Sequence, residues 1–400
     1  MKIGIIREGK IPPDKRVALT PLQCVQALRL FPDLDISVQP SPIRAYLDSE
    51  YQKLGIKLQE NMEDRDVLVG VKEVNIEDLI ENKKYIFFSH TFKQQSYNKD
   101  LLLAILKKKI QLIDYEVMTQ NGERVIAFGE YAGIVGMYNG LRGYGRKFGL
   151  YKIAPAHLCH NKSEMIDELR KIKFAEPIKI LITGHGRVAG GALEVLEAAN
   201  IKKVSIEDYR TKEFKETVFA QLHVEHYCSR NKDNGFDKNE FYSDPSGYKS
   251  DFMNYASHTD LYIACHYWDS RGPYIFTKED AKSPDFKIKM IADISCDIDG
   301  PIASTLRPST IAEPFYGYNA EDEVEGFFTD EKNIGVMAVD NLPCELPRDA
   351  SESFGRSFLE HILPALLGDD PDGIIERASE TNHEGQLSPH FKYLKDFITS

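Results

Sequence analysis

Lys72 and His90 each sit just past a short apolar run: DVLVGVKEV carries Lys72 and Glu73, and YIFFSHTFKQQ carries His90 and, three residues later, Lys93. An imidazole takes or gives a proton near neutral pH. A lysine does so only where burial or nearby cations destabilise its ammonium form. Eighteen residues separate the two, and in a parallel sheet the carboxyl ends of two neighbouring strands would bring both to one cleft. A lone strand-terminal lysine is ordinarily a surface group and a lone histidine a structural donor; the pair is the stronger signal. Arg16, in DKRVALTP, follows a strand and precedes a helix, where a guanidinium can grip a carboxylate in bidentate fashion. A surface ion pair is the plainer reading of Arg16 taken alone.

A second constellation lies in ILITGHGRVAGGALEVLEAA: a strand, a turn with Gly184, Gly186 and Gly190, and a helix opening at Arg187 and Val188. The first glycine permits the tight turn and the second lets backbone approach a pyrophosphate, which the free N–H groups of the helix start then receive. Gly190 falls one residue later than the third glycine of G-x-G-x-x-G. The next strand, KKVSIEDYR, ends on Glu207 and Asp208, at the distance where an acidic side chain receives ribose hydroxyls. The expected cofactor is therefore NAD, with NADP as the alternative that Arg210 would favour. Cys265, His266, Tyr267 and Trp268 end another strand of this block and are placed to cover the adenosine or the nicotinamide.

These residues need two α/β blocks to position them. From residue 1 to about 127, runs such as KIGII, DVLVGV and YIFF alternate with amphipathic stretches such as TPLQCVQALRLF, where Thr20 caps and Pro21 opens the helix. The second block starts near Ile178, and its β-branched runs suit strands buried on both faces of a parallel sheet. Residues 211–258 read as a long insertion of unassigned role. Between the blocks, GEYAGIVGMYNGLRG has glycines at 129, 133, 136, 140 and 143, one face of a helix. Each costs about 1 kcal/mol against alanine there, so close backbone approach must offset it, between domains or at a subunit interface.

The 400 residues suffice for two cores, and the formal charge of −12 disfavours nucleic acid or an anionic membrane as partner. The six cysteines are scattered singly, without metal-ligand spacing, so no metal site is expected. MKIGIIREGK lacks a signal-peptide core, and the expected location is the cytoplasm.

KRVALTP, VGVKEV, FFSHTFKQQ, LIDYE, ERVIAFGEYAGIVGM, ADISCDIDG and VDNLPCELPRDASESFG carry a resemblance to saccharopine dehydrogenases of the lysine-forming type. More closely, the chain resembles the lysine-ketoglutarate reductase domain of the bifunctional enzyme of lysine breakdown. Alanine dehydrogenase and the proton-translocating transhydrogenase are similar at greater distance. The resemblance implies reversible conversion of saccharopine, NAD(P)+ and water into lysine, 2-oxoglutarate and reduced cofactor. It implies that Lys72 takes the amine proton and that His90 handles the water and the carbinolamine. Arg16, Lys93 and Arg142 would bind substrate carboxylates, Glu73 and Glu116 would line the site, and Asp340 would stand at the cofactor boundary. Asp297 matches an active-site aspartate of alanine dehydrogenases, and turn formation explains it equally well.

The expected architecture is α/β, two Rossmann-like domains with a cleft between them: a substrate domain of residues 1–140 plus 328–400, and an NAD(P)-binding domain of residues 176–325. The partners are small molecules, saccharopine or lysine with 2-oxoglutarate; the oligomeric state is open. An alanine-dehydrogenase-like enzyme and a non-catalytic nucleotide-binding regulator are the alternatives.

Overall fold

The computed structural model describes residues 1–399, which divide into two compact units, residues 1–128 with the chain from 347 onward, and residues 129–346. In the first, a sheet runs in the order β3-β2-β1-β4-β5-β6. Its members are β1 (Lys2–Ile5), β2 (Asp35–Val38), β3 (Lys57–Leu58), β4 (Val67–Val69), β5 (Lys84–Phe87) and β6 (Gln111–Asp114). Every pairing is parallel, so all carboxyl ends share one edge. The order reverses between β1 and β4, the position at which open α/β sheets place their sites. Ile5, Val69, Ile86 and Ile113 pack with Phe354, Phe358 and Ile362 of the returning C-terminal helices. The helix Pro21–Leu30 opens as its sequence implies, with Thr20 and Gln23 forming a capping box. A short hairpin, β7 (Thr119–Gln120) and β8 (Glu123–Arg124), follows β6.

The second unit has an eight-stranded sheet ordered β10-β11-β9-β14-β15-β18-β16-β17. Its strands are β9 (Lys179–Thr183), β10 (Lys202–Lys203), β11 (Val218–Leu222), β14 (Leu261–Ala264), β15 (Met290–Asp293), β16 (Phe315–Asn319), β17 (Val324–Gly326) and β18 (Ile334–Met337). A separate hairpin pairs β12 (Cys228–Arg230) with β13 (Tyr248–Ser250). The stretch 211–258 is thus only partly an insertion, because it supplies β11, the strand lying directly beside the glycine-rich strand β9.

The glycine-striped segment is one helix, Gly129–Lys147, and its partners lie in its own unit. A Cβ on Gly133 would stand 1.8 Å from the Val188 carbonyl oxygen, and one on Gly191 would stand 2.0 Å from that of Glu130. Two helix backbones therefore touch where these glycines meet, while Gly136 and Gly140 admit Ile294 and Ile263. Close packing offsets the helix cost of glycine, as the stripe implied. It also moves the boundaries from those expected. Residues 129–140 go with the second unit through this helix, and residues 328–346 follow because β18 pairs with β15 and β16.

Gly133→Ala should lower stability by about 3 kcal/mol, the upper range for overpacking. Gly190→Ala, where an added Cβ meets nothing within 4 Å, should be neutral or stabilise by up to about 1 kcal/mol. Denaturant unfolding of the two variants checks this; equal effects would contradict the packing.

Candidate active site

The carboxyl edge of the first sheet gathers an acid–base cluster. Phe88 N–H donates to the Val71 carbonyl at 3.0 Å, and this pairing past the ends of β4 and β5 sets Lys72–Glu73 beside Ser89–His90. His90 Nδ1 lies 2.6 Å from Glu73 Oε1, and Lys10 Nζ lies 3.0 Å from Glu73 Oε2. Burial works against the Glu73 charge, but the His90 hydrogen bond and the charges of His90 and Lys10 outweigh it and hold the carboxyl down to about 2. An ionised Glu73 takes the hydrogen of Nδ1, an assignment inferred from the bonding, and leaves His90 Nε2 outside that contact. That nitrogen stands 3.8 Å from Glu116 Oε2. Glu116 also takes Lys93 at 2.9 Å and Arg124 at 3.3 Å. Against burial, these cations hold its carboxyl below the usual range.

Lys72 is half-buried, and its ammonium has no hydrogen-bonded carboxylate among the described residues. Its pKa is lowered from the ordinary 10.5, first by burial and then by the charges of Arg16 and Lys10. Beneath it, Glu8 accepts the Val71 and Lys72 amides at 2.7 and 2.8 Å. Burial and then Asp14 push the Glu8 carboxyl up to about 8, although the residue keeps some surface. Arg16 is buried and already gripped bidentate by Asp14, at 3.0 and 2.5 Å, with its guanidinium 4.1 Å from the Phe128 ring centre. Its fork thus meets a protein carboxylate directly. Lys72, Glu73 and Glu8 share a cavity of about 230 Å³. A wider hollow of about 720 Å³, under Tyr46 and Arg348, holds none of the acid–base residues.

His90 adopts a left-handed backbone, φ 56°, unusual for a non-glycine residue. Buried carboxylates hold it there. Asp114 accepts the Ser89 amide at 2.8 Å, the Ser89 hydroxyl at 2.6 Å and the His90 amide at 3.2 Å. Glu380 accepts from the Thr91 hydroxyl at 2.6 Å and lies 3.1 Å from the Ser89 hydroxyl. Burial raises both carboxyls; the Asp114 charge raises Glu380 further, and the Glu116 charge raises Asp114. Glu8, Lys10, Asp14, Asp114, Arg124 and Glu380 had not been singled out from sequence.

The second sheet's carboxyl edge has a cavity of about 520 Å³, reached by Gly184, Gly186, Arg187, Val188, His266, Tyr267 and Asp297. Gly184 has φ 103°, and a Cβ there would stand 2.5 Å from the Cys265 carbonyl oxygen, so only glycine fits the turn. Gly186 caps the helix Arg187–Ala198. The third-glycine role, close helix contact, belongs to Gly191 rather than Gly190. The His266 Nε2 is buried without a partner. A nucleotide fits this donor set: a glycine cradle, a helix start and an unpaired buried imidazole nitrogen.

Two expectations need correction. Glu207 and Asp208 do not end a strand beside β9. They stand in the first turn of the helix Ile206–Thr211, after edge strand β10, and β11 intervenes. Asp208 instead pairs with Lys212 at 2.8 Å. The strand beside β9 ends on Leu222 and His223, and His223 stacks on His185 with ring centres 4.7 Å apart. A later strand took the inner place that the first βα crossover suggested for β10. Arg142, expected to bind a substrate carboxylate, lies over Phe315, 5.2 Å from the ring centre, with Nη1 buried and unpartnered. Asp340 is exposed just beyond β18, close enough for its charge to raise the Cys296 thiol, after burial and Asp293. No group of metal-ligating residues occurs among the described residues, and no helix there is long and apolar enough to cross a membrane.

Residues 4–135 match the family described as alanine dehydrogenase/PNT, N-terminal domain. The chain is 31% identical over 440 residues to the mitochondrial alpha-aminoadipic semialdehyde synthase of Mus musculus, an alignment covering 98% of this chain and 47% of that protein. It thus spans about half the length of that curated relative. It is 25% identical over 368 residues to the saccharopine dehydrogenase [NAD(+), L-lysine-forming] of Neurospora crassa, covering 88% of this chain and 87% of that one. Among solved structures, an L-alanine dehydrogenase superposes with a TM-score of 0.67 at 15% identity, covering 100% of both chains. A transhydrogenase from Sinorhizobium meliloti follows at 0.61 and 12%, covering 98% of this chain and 100% of that one. These two show the fold, α/β with Rossmann-like units. Residues 4–135 thus carry the match to the alanine dehydrogenase/PNT N-terminal domain, and the sequence relatives of the chain include alpha-aminoadipic semialdehyde synthases and saccharopine dehydrogenases.

Proposed function

We propose that this oxidoreductase interconverts saccharopine, NAD(P)+ and water with L-lysine, 2-oxoglutarate and NAD(P)H. The observation that carries the reading is that Glu73, next in the chain to a half-buried Lys72 with no hydrogen-bonded carboxylate among the described residues, lies 2.6 Å from His90 Nδ1. Oxidising a secondary amine needs a base for the nitrogen proton and a second group to manage the water that attacks the imine. Lys72 serves as the first, because burial, Arg16 and Lys10 make its neutral form accessible. His90 serves as the second through Nε2, while Glu73 fixes the ring from the Nδ1 side.

Lys93, Arg124 and Lys10 supply cations for the substrate's carboxylates, with Arg16 and Arg142 as further candidates. Glu116 receives a substrate ammonium. Gly184, Gly186, Arg187, Val188, Tyr267 and Asp340 are the residues we assign to the nucleotide. When bound, its nicotinamide exchanges a hydride with the carbon of the reacting carbon–nitrogen bond. Glu207 and Asp208 follow edge strand β10, with β11 between it and the glycine strand, and we read both NADH and NADPH as acceptable. Singly placed cysteines agree with a reducing compartment such as the cytoplasm.

The absorbance of NADH or NADPH should fall when lysine and 2-oxoglutarate are supplied together, and not with pyruvate and ammonia. The reverse selectivity would favour the alanine-dehydrogenase alternative; nucleotide binding without turnover of either pair would favour a regulator. In the same assay His90→Gln should lower kcat by about 100-fold or more with the fold intact. In the oxidative direction the rate should climb with pH along a limb centred below 10.5, as Lys72 loses its proton; Lys72→Met should remove that limb. Glu207→Ala and Asp208→Ala should leave the ratio of NADH to NADPH turnover unchanged, and a shift toward NADPH would return the acidic pair to the ribose.

A further inference from the structure

The segment between β11 and β14 has no assigned role, yet its side chains reach the nucleotide cavity. Phe241 and Tyr242, from the helix Lys238–Ser243 between β12 and β13, face that cavity together with Tyr267 and Trp268 beyond β14. The same four aromatics line a smaller, mainly apolar recess beside it. Tyr242 is 50% and Tyr267 83% exposed, an unusual outlay of aromatic surface for rings with no ligand to cover. The wall is preformed. Phe241 stands edge-on to Tyr248, 5.0 Å between ring centres at 89°, and Arg230 ties Glu240 to the hairpin at 2.7 Å.

His266 supplies a second, independent observation. It is 8% exposed, and burial lowers its pKa to about 4, so the ring is neutral. Thr183 Oγ1 lies 2.8 Å from both the Tyr262 hydroxyl and His266 Nδ1. A relay in which Tyr262 donates to Thr183 and Thr183 donates to Nδ1 leaves the hydrogen on Nε2, the atom without a partner. The ring therefore offers a donor to a ligand at the cavity.

We propose that this segment is the wall of the adenosine subsite: Tyr242 and Tyr267 hold the purine of a pyridine dinucleotide, with Phe241 and Trp268 behind them, and His266 Nε2–H donates to its ribose–phosphate. The glycine turn of the same cavity takes the pyrophosphate, which leaves the aromatics for the base. The assignment rests on the pyridine-nucleotide reading above.

Binding to the full chain tests it, with NADH, NADPH, ADP-ribose and reduced nicotinamide mononucleotide, which lacks the adenosine, as probes. Tyr242→Ala should weaken NADH, NADPH and ADP-ribose about tenfold or more, from base–aromatic stacking. It should leave reduced nicotinamide mononucleotide unaffected, and Tyr242→Phe should restore binding to within about threefold. An unchanged melting temperature shows that the half-exposed position tolerates the change. Equal loss for the mononucleotide, or no loss for any probe, would overturn the proposal. Failure of the wild-type chain to bind any of the four would instead remove the pyridine-nucleotide reading, and the proposal with it.

Discussion

A 2.6 Å contact between His90 Nδ1 and Glu73 organises the chemistry of this protein. It anchors an imidazole in one orientation and occupies the carboxylate nearest in sequence to Lys72. Lys10 takes the other oxygen of Glu73. The neighbouring lysine is therefore left among cations with no hydrogen-bonded anion, and its neutral form becomes accessible. Had Glu73 turned to Lys72, the pair would have favoured the charged ammonium.

That arrangement depends on groups that never meet substrate. The left-handed backbone at His90 persists because Asp114 takes two successive amides and the Ser89 hydroxyl, while Glu380 takes the Thr91 hydroxyl. Burial raises both carboxyls, which disfavours two negative charges so close together. Below β4, Glu8 does a similar service for the Val71 and Lys72 amides. The sheet edge is thus ordered by buried acids, while the half-buried Glu73 and Glu116 pair with His90, Lys10, Lys93 and Arg124.

Much of this was legible in the residues. Apolar runs breaking off into Lys72 and His90 mark strand ends, and the parallel pairing of β4 with β5 brings them side by side. The glycine stripe correctly implied close backbone contact, which offsets the cost of six glycines in one helix. What stayed hidden was long-range. Glu380 comes from a segment 290 residues after His90 and has no local pattern. The acidic pair Glu207–Asp208 misled because spacing along the chain does not reveal which strand lies innermost. Here β11, inside the supposed insertion, took the place beside β9 and put His223 where a carboxylate was expected.

The protonation of Lys72 is the central claim, and it can be observed without turnover. Heteronuclear NMR of lysine-labelled protein, with the Lys72 signal assigned by its loss in Lys72→Arg, gives the titration midpoint directly. The account predicts a midpoint below 10.5 that rises when Lys10 is replaced by methionine. A midpoint at or above 10.5 would contradict it, since an ordinary ammonium at that position cannot act as the base.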